Sequence, residues 1–178
     1  MKRSIKNLQR NRETNKLYLI VKKYLDHYGI RVARWMPYDT PDAQVQYLAD
    51  MDEYRVWIPF PVDAFSFYIC MHEVGHCVKG HRRYAYLQEI AAEQYSIRKC
   101  KQHGLYDPAF LKEAQTYVRT AAAEDIVFRG LDPAKINKVH LRWLKRNPAG
   151  LYKDAMKLSR SFRKEKADGT AHVRTLFM

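Results

Sequence analysis

Residues 71–81 read Met-His-Glu-Val-Gly-His-Cys-Val-Lys-Gly-His, with His72 and His76 four apart and Glu73 directly after the first. On a helix that spacing sets two imidazoles about 40° apart around the axis and about 6 Å along it, so both reach one metal ion from one face. Glu73, one residue round, stands beside such an ion without having to bind it. A carboxylate there can take a proton from water activated by the ion and hand it to a leaving amine. The chemistry expected of His-Glu-x-x-His is therefore zinc-assisted hydrolysis. The competing expectation is an ordinary core or cap role for both histidines, which burial would make costly unless hydrogen bonds satisfied them.

A catalytic zinc takes three protein groups and leaves one position for water. His81 is one candidate third ligand, but the metzincin spacing places a glycine three and a histidine six residues after the second histidine. Here Gly80 and His81 follow His76 by four and five, so the spacing misses twice and Gly80 reads as a helix stop. Glu89 is the better candidate. The stretch "LQEIAAEQYSIR" sets Glu89 and Glu93 four apart on one helical face. Glu89 would complete the metal site and Glu93 would accept the other ring N–H of a histidine, with Glu93 as ligand the second choice. Ala91 and Ala92 between them would permit close packing against the first helix. An exposed face with two glutamates is the bland alternative.

Tyr84, Tyr86, Tyr95, His81, His103 and His140 are all candidate donors to a developing oxyanion, and the sequence does not separate them. Cys70 and Cys77, seven apart on the histidine helix, suggest a Cys/His structural site only weakly, because ligands from one helical face rarely build a tetrahedron. Cys77 reads more simply as a small buried residue.

"MHEVGHCVKGH" followed by "EIAAEQYSI" resembles the gluzincin pattern His-Glu-x-x-His … Glu-x-x-x-Asp/Asn, and most closely the small ImmA/IrrE-like metallopeptidases of bacteria and phages. In those, a β-hairpin ending in I-x-V/I-P precedes an active-site helix with "HELGH", a nearby "GH" and a helix bearing E-x-E-A-N/D-x-F/Y-A. Here "VWIPF", "HEVGH", "GH" and "EIAAEQYS" occur in that order. The resemblance covers about residues 43–100. It implies His72, His76 and Glu89 as zinc ligands, Glu73 as general base, and a protein substrate such as a repressor or regulator. Glu93 stands where the family often has Asn or Asp, and Ala91 where it often has a second Glu.

The elements that must position these residues follow from periodicity. "TNKLYLIVKKYLDHY" (14–28) has helical spacing and is stopped by Gly29. "IRVARWM" (30–36), "AQVQYLA" (43–49) and "YRVWIPF" (54–60) alternate as strands, the last two joined by an acidic turn in hairpin fashion. After Pro61 and Asp63 a helix carries the histidines, its bulky Phe65, Tyr68, Ile69 and Met71 predicting burial under the sheet. Further helices are expected at about 83–103, from Ala109 to Arg129, through "AKINKVHLRWLKRN", and over a short "GLYKDAMKLSRSFRK", with a frayed tail over the last dozen residues. The expected class is α+β: an N-terminal helix and a small antiparallel sheet packed on a helical, zincin-like core, with additional C-terminal helices. One domain over 1–178 is expected, its core about 30–130, flanked by a basic helix over 1–29 and basic helices and tail over 133–178.

Charge is unevenly spread along the 178 residues. The net +13 divides into +8 over residues 1–34, −3 over 35–137 and +8 over 138–178. Basic ends of this kind attract polyanions, nucleic acid foremost, although a surface tuned for solubility looks the same. "KVHLRWLKRN" and "KLSRSFRKEK" interleave cations with Trp143 and Phe162, either for phosphates or as amphipathic helices docked on the core. The alternative function is accordingly a nucleic-acid-associated regulatory protein with a structural or vestigial zinc site. An apolar run long enough to span a membrane is missing, as is a secretory segment, and three cysteines do not make a disulfide framework. A reduced, cytoplasmic setting without a membrane partner is the expectation.

Overall fold

The computed structural model describes residues 12–39, 43–80 and 83–167. Among them the chain is α+β, as expected: six α-helices and one three-stranded sheet. Helix α1 (Arg12–His27) places Leu17, Val21 and Leu25 on one buried stripe. It ends at Gly29, whose φ of +64° lies in the left-handed region that glycine enters without a Cβ penalty.

Strands β1 (Arg31–Met36), β2 (Gln44–Leu48) and β3 (Glu53–Pro59) form the sheet in the order β1-β3-β2. The β2–β3 hairpin is antiparallel as expected, with Gln44 opposite Trp57 and Leu48 opposite Glu53. The sheet as a whole is mixed and not antiparallel, because β1 runs parallel to β3. Alternation tells which side chains face the core, but it reads the same in either strand direction. Since β2 takes the far edge, β3 returns between the other two and lies alongside β1 in the same sense. Central β3 buries Val56 and Ile58 completely.

Helix α2 (Ala64–Lys79) begins with a reciprocal cap. Asp63 accepts the Ser66 backbone N–H at 2.8 Å, while the Ser66 hydroxyl oxygen accepts the Asp63 N–H. It packs against β3 with Phe67, Met71 and Val74 wholly buried. Of the four bulky residues expected beneath the sheet, Phe65 is a correction: it is 44% exposed, being on the outer side of the first turn against Tyr68 and Phe110. Helices α3 (Ala85–Gln102) and α4 (Pro108–Arg129) follow the expected pattern. The single helix expected through "AKINKVHLRWLKRN" is instead a 3-10 turn (Pro133–Lys135) and a short α5 (Lys138–Leu144). Asn137 divides them, its side chain accepting the Val139 N–H at 2.7 Å, an alternative to helix that asparagine offers the backbone. Helix α6 (Pro148–Ala167) is longer than expected, and the tail from residue 168 lies outside the described residues.

The chain forms two compact units. Of the described residues, the first takes those up to Arg83 together with Leu87–Ala114; the second takes Tyr84–Tyr86 and those from Gln115 to residue 167. Leu17, Val21, Val56, Ile58, Phe67, Met71 and Val74 lie in the core of the first unit. In the second, Val118, Ala122, Leu144, Leu151 and Ala155 are wholly buried. There too the buried Asp125 accepts the Tyr86 N–H at 2.9 Å and a guanidinium N–H of Arg129 at 3.0 Å, so that a first-turn donor of α3 is satisfied.

Candidate metal centre

Two helices of the first unit supply the site: α2 carries His72, Glu73 and His76, and α3 carries Glu89 and Glu93. Their approach is set by Gly75 over Ala92. A Cβ on Gly75 would lie 2.8 Å from the Ala92 Cα and 3.0 Å from its carbonyl oxygen, closer than atoms pack. A mid-helix glycine costs about 1 kcal/mol against alanine, and here it removes the side chain that would hold the helices apart.

The ligand atoms converge. His72 Nε2 and His76 Nε2 are 2.9 Å apart, and Glu89 Oε2 lies 3.2 Å from the first and 3.4 Å from the second. Nitrogen and oxygen ligands about 2.0–2.1 Å from a tetrahedral zinc stand about 3.3 Å from one another, so this triangle has the size of one coordination face. Glu89 Oε2 is buried between the imidazoles without a well-formed hydrogen bond to either, a cost that a cation or proton between them relieves. His72, His76 and Glu89 could hold a metal ion, and among the described residues no other cluster of this kind occurs.

Glu93 lies behind His72. Its Oε1 is 3.3 Å from His72 Nδ1, and its other oxygen accepts the Tyr68 hydroxyl proton. Tyr68 is held in turn by the Ser96 hydroxyl, which donates to the Tyr68 carbonyl at 2.6 Å. A carboxylate on Nδ1–H selects the tautomer that leaves the Nε2 lone pair facing the cluster. Glu89, not Glu93, faces both Nε2 atoms.

Electrostatics follow the same lines. Burial opposes a charge on His72, but the Glu93 and Glu89 carboxylates outweigh it and hold the imidazole well above its usual pKa. Burial alone would raise Glu89, yet the His72 and His76 imidazoles set against its carboxylate bring it down to about 2. Glu73 is buried beside the ligands. Desolvation pushes its carboxyl upward, partly offset by the two histidines.

The cysteines take no part. Cys70 donates its thiol proton to the Pro59 carbonyl at 3.2 Å, and burial holds the thiol protonated. Burial pushes Cys77 up to about 12. His81 lies outside the described residues. Of the expected oxyanion donors, His103 is engaged with the Tyr24 hydroxyl at 3.0 Å, and the Tyr95 ring packs beneath Arg98 and Lys99. Tyr84, Tyr86 and His140 belong to the second unit, where the Tyr86 and His140 rings meet edge to face.

Gly75 was not foreseen from the sequence, and Tyr68 was foreseen only as a bulky buried residue, not as a partner of Glu93. Each carries a signal: a glycine inside a helical pattern points to close packing, and Tyr68 stands four residues before His72 on the same face. No protein-family model matches the chain, and neither a curated protein nor a solved structure shows significant similarity to it.

Proposed function

We propose that the chain is a zinc-dependent peptidase of gluzincin type acting on a protein substrate. The observation that carries this reading is the His72–His76–Glu89 triangle, sized for one metal ion, with a buried carboxylate on the residue between the two helix positions. His72, His76 and Glu89 would hold zinc. Zinc bound there supplies Lewis acidity, lowering the pKa of water and polarising a peptide carbonyl. Glu73 takes the proton from the attacking water and delivers it to the leaving amine. Burial raises the pKa of its carboxyl, which makes it a better proton acceptor than an ordinary carboxylate. Glu93 orients His72, and Tyr68 orients Glu93.

Two measurements test this together. Protein purified without added metal should carry about one zinc per chain by elemental analysis, and Glu89→Ala should lose it. Glu73→Gln should keep the zinc while losing cleavage of a peptide library by roughly 100-fold or more. A fully zinc-loaded parent that cleaves nothing in that library, or a Glu73→Gln variant as active as the parent, sinks the catalytic reading.

A further inference from the structure

We propose that the second unit binds double-stranded nucleic acid through its phosphate backbone, along two adjoining cationic grooves that share Arg146. This surface uses no residue of the metal centre and stands independently of the peptidase reading.

The first groove, about 570 Å³, is lined by Lys138, Arg142, Lys145, Arg146 and Asn147 together with Leu141 and Pro148. Its four cations are exposed. Lys138 and Arg142 are one helical turn apart on α5, and Lys145 and Arg146 continue the row past the helix end. Lys145 itself has φ 50° and ψ 44°, the left-handed region where a lysine is uncommon and glycine or asparagine is usual. The second groove, about 430 Å³, runs between α4 and α6 and adds Arg119 and Lys157, with the hydroxyls of Thr116, Thr120 and Ser161. Arg146 lines both, so the two form one basic track.

Counter-charge is scarce there. Between residues 135 and 164 the chain has ten Lys/Arg and a single acidic residue, Asp154. Asp154 pairs with Arg146 at 3.1 Å. Neither groove has an aromatic wall, so the stacking platforms on which single-strand binders depend are missing. Concave walls of cations, amides and hydroxyls suit a linear polyanion and its phosphate oxygens. A membrane surface takes bulky apolar or aromatic anchors between its lysines, and neither groove is lined by an aromatic side chain.

The test is fluorescence anisotropy of labelled oligonucleotides of about 20 base pairs, duplex and single-stranded, across a salt series. The full-length chain should bind the duplex at least as tightly as the single strand. Log Kd should rise with log salt at a slope of about 3–5, one unit per phosphate contacted. The triple variant Lys138→Glu, Arg142→Glu, Lys145→Glu, all on exposed positions, should lose at least tenfold in affinity and about two to three units of slope. Lys22→Ala with Lys23→Ala on α1 is the charge control and should change affinity less than threefold. Circular dichroism of each variant establishes that it is folded. A triple variant that is folded and binds like the parent overturns the proposal. So does clear preference for the single strand, or binding to phosphatidylserine vesicles but not to duplex.

Discussion

At the scale of residues, the arrangement around His72 makes metal uptake a competition with a proton. His72 is held above its usual pKa by Glu93 and Glu89, so the cluster without an ion carries a proton near neutrality. Binding must expel it. Apparent zinc affinity should therefore climb as pH rises toward the folded pKa of His72, and fall about tenfold per unit below it. Calorimetric titration in buffers of different ionisation heat should report close to one proton released per zinc; a buffer-independent heat would refute this account. Glu93→Gln keeps the shape but weakens the acceptor on Nδ1, and should cost about 10–100-fold in zinc affinity. Tyr68→Phe should cost less, since it removes only the group that steadies Glu93. Chelator competition ranks the two, and the reverse order would mean that Tyr68 acts on the ion by some route other than Glu93.

Between elements, the decisive contact is backbone against backbone. Gly75→Ala places a methyl 2.8 Å from the Ala92 Cα and 3.0 Å from its carbonyl oxygen, so α2 and α3 must part. Overpacking of this kind costs about 1–3 kcal/mol, and the separation should open the ligand triangle as well. The expected result is a lowered Tm together with a loss of zinc out of proportion to it. Ala92→Gly should not rescue the variant, because the obstructing atoms are backbone; recovery of zinc in the double variant would show that the methyl of Ala92 was the obstacle. His72, His76, Glu89 and Glu93 are readable because helical spacing puts each pair on one face, and the hairpin is readable because β2 and β3 alternate around an acidic turn. The parallel placement of β1 was hidden, since direction leaves no trace in alternation. The break at Asn137 was hidden for a different reason: the apolar spacing around Ile136, Leu141 and Leu144 runs through a residue whose side chain caps a new helix. Tyr68 was legible only as bulk, because the acceptor for its hydroxyl lies on a different helix.

Across the whole molecule, the metal ligands and the basic grooves belong to different compact units. The metal ligands lie in the first and the basic grooves wholly in the second. The residues of each site all belong to one unit. Zinc in excess should raise the Tm of the first unit by mass action, about 2.7 kcal/mol of stabilisation at 100 times Kd. Duplex affinity should meanwhile stay within about threefold between zinc-loaded and chelated protein, since a coupling of 1 kcal/mol already changes affinity about fivefold. The measurement is one anisotropy titration repeated with zinc and with chelator, at fixed ionic strength so that the phosphate contacts are compared at equal screening. A larger shift in either direction would show that the units communicate. By reciprocity the duplex would then have to change zinc affinity by the same factor, which makes the metal titration repeated with duplex present an internal check on the result.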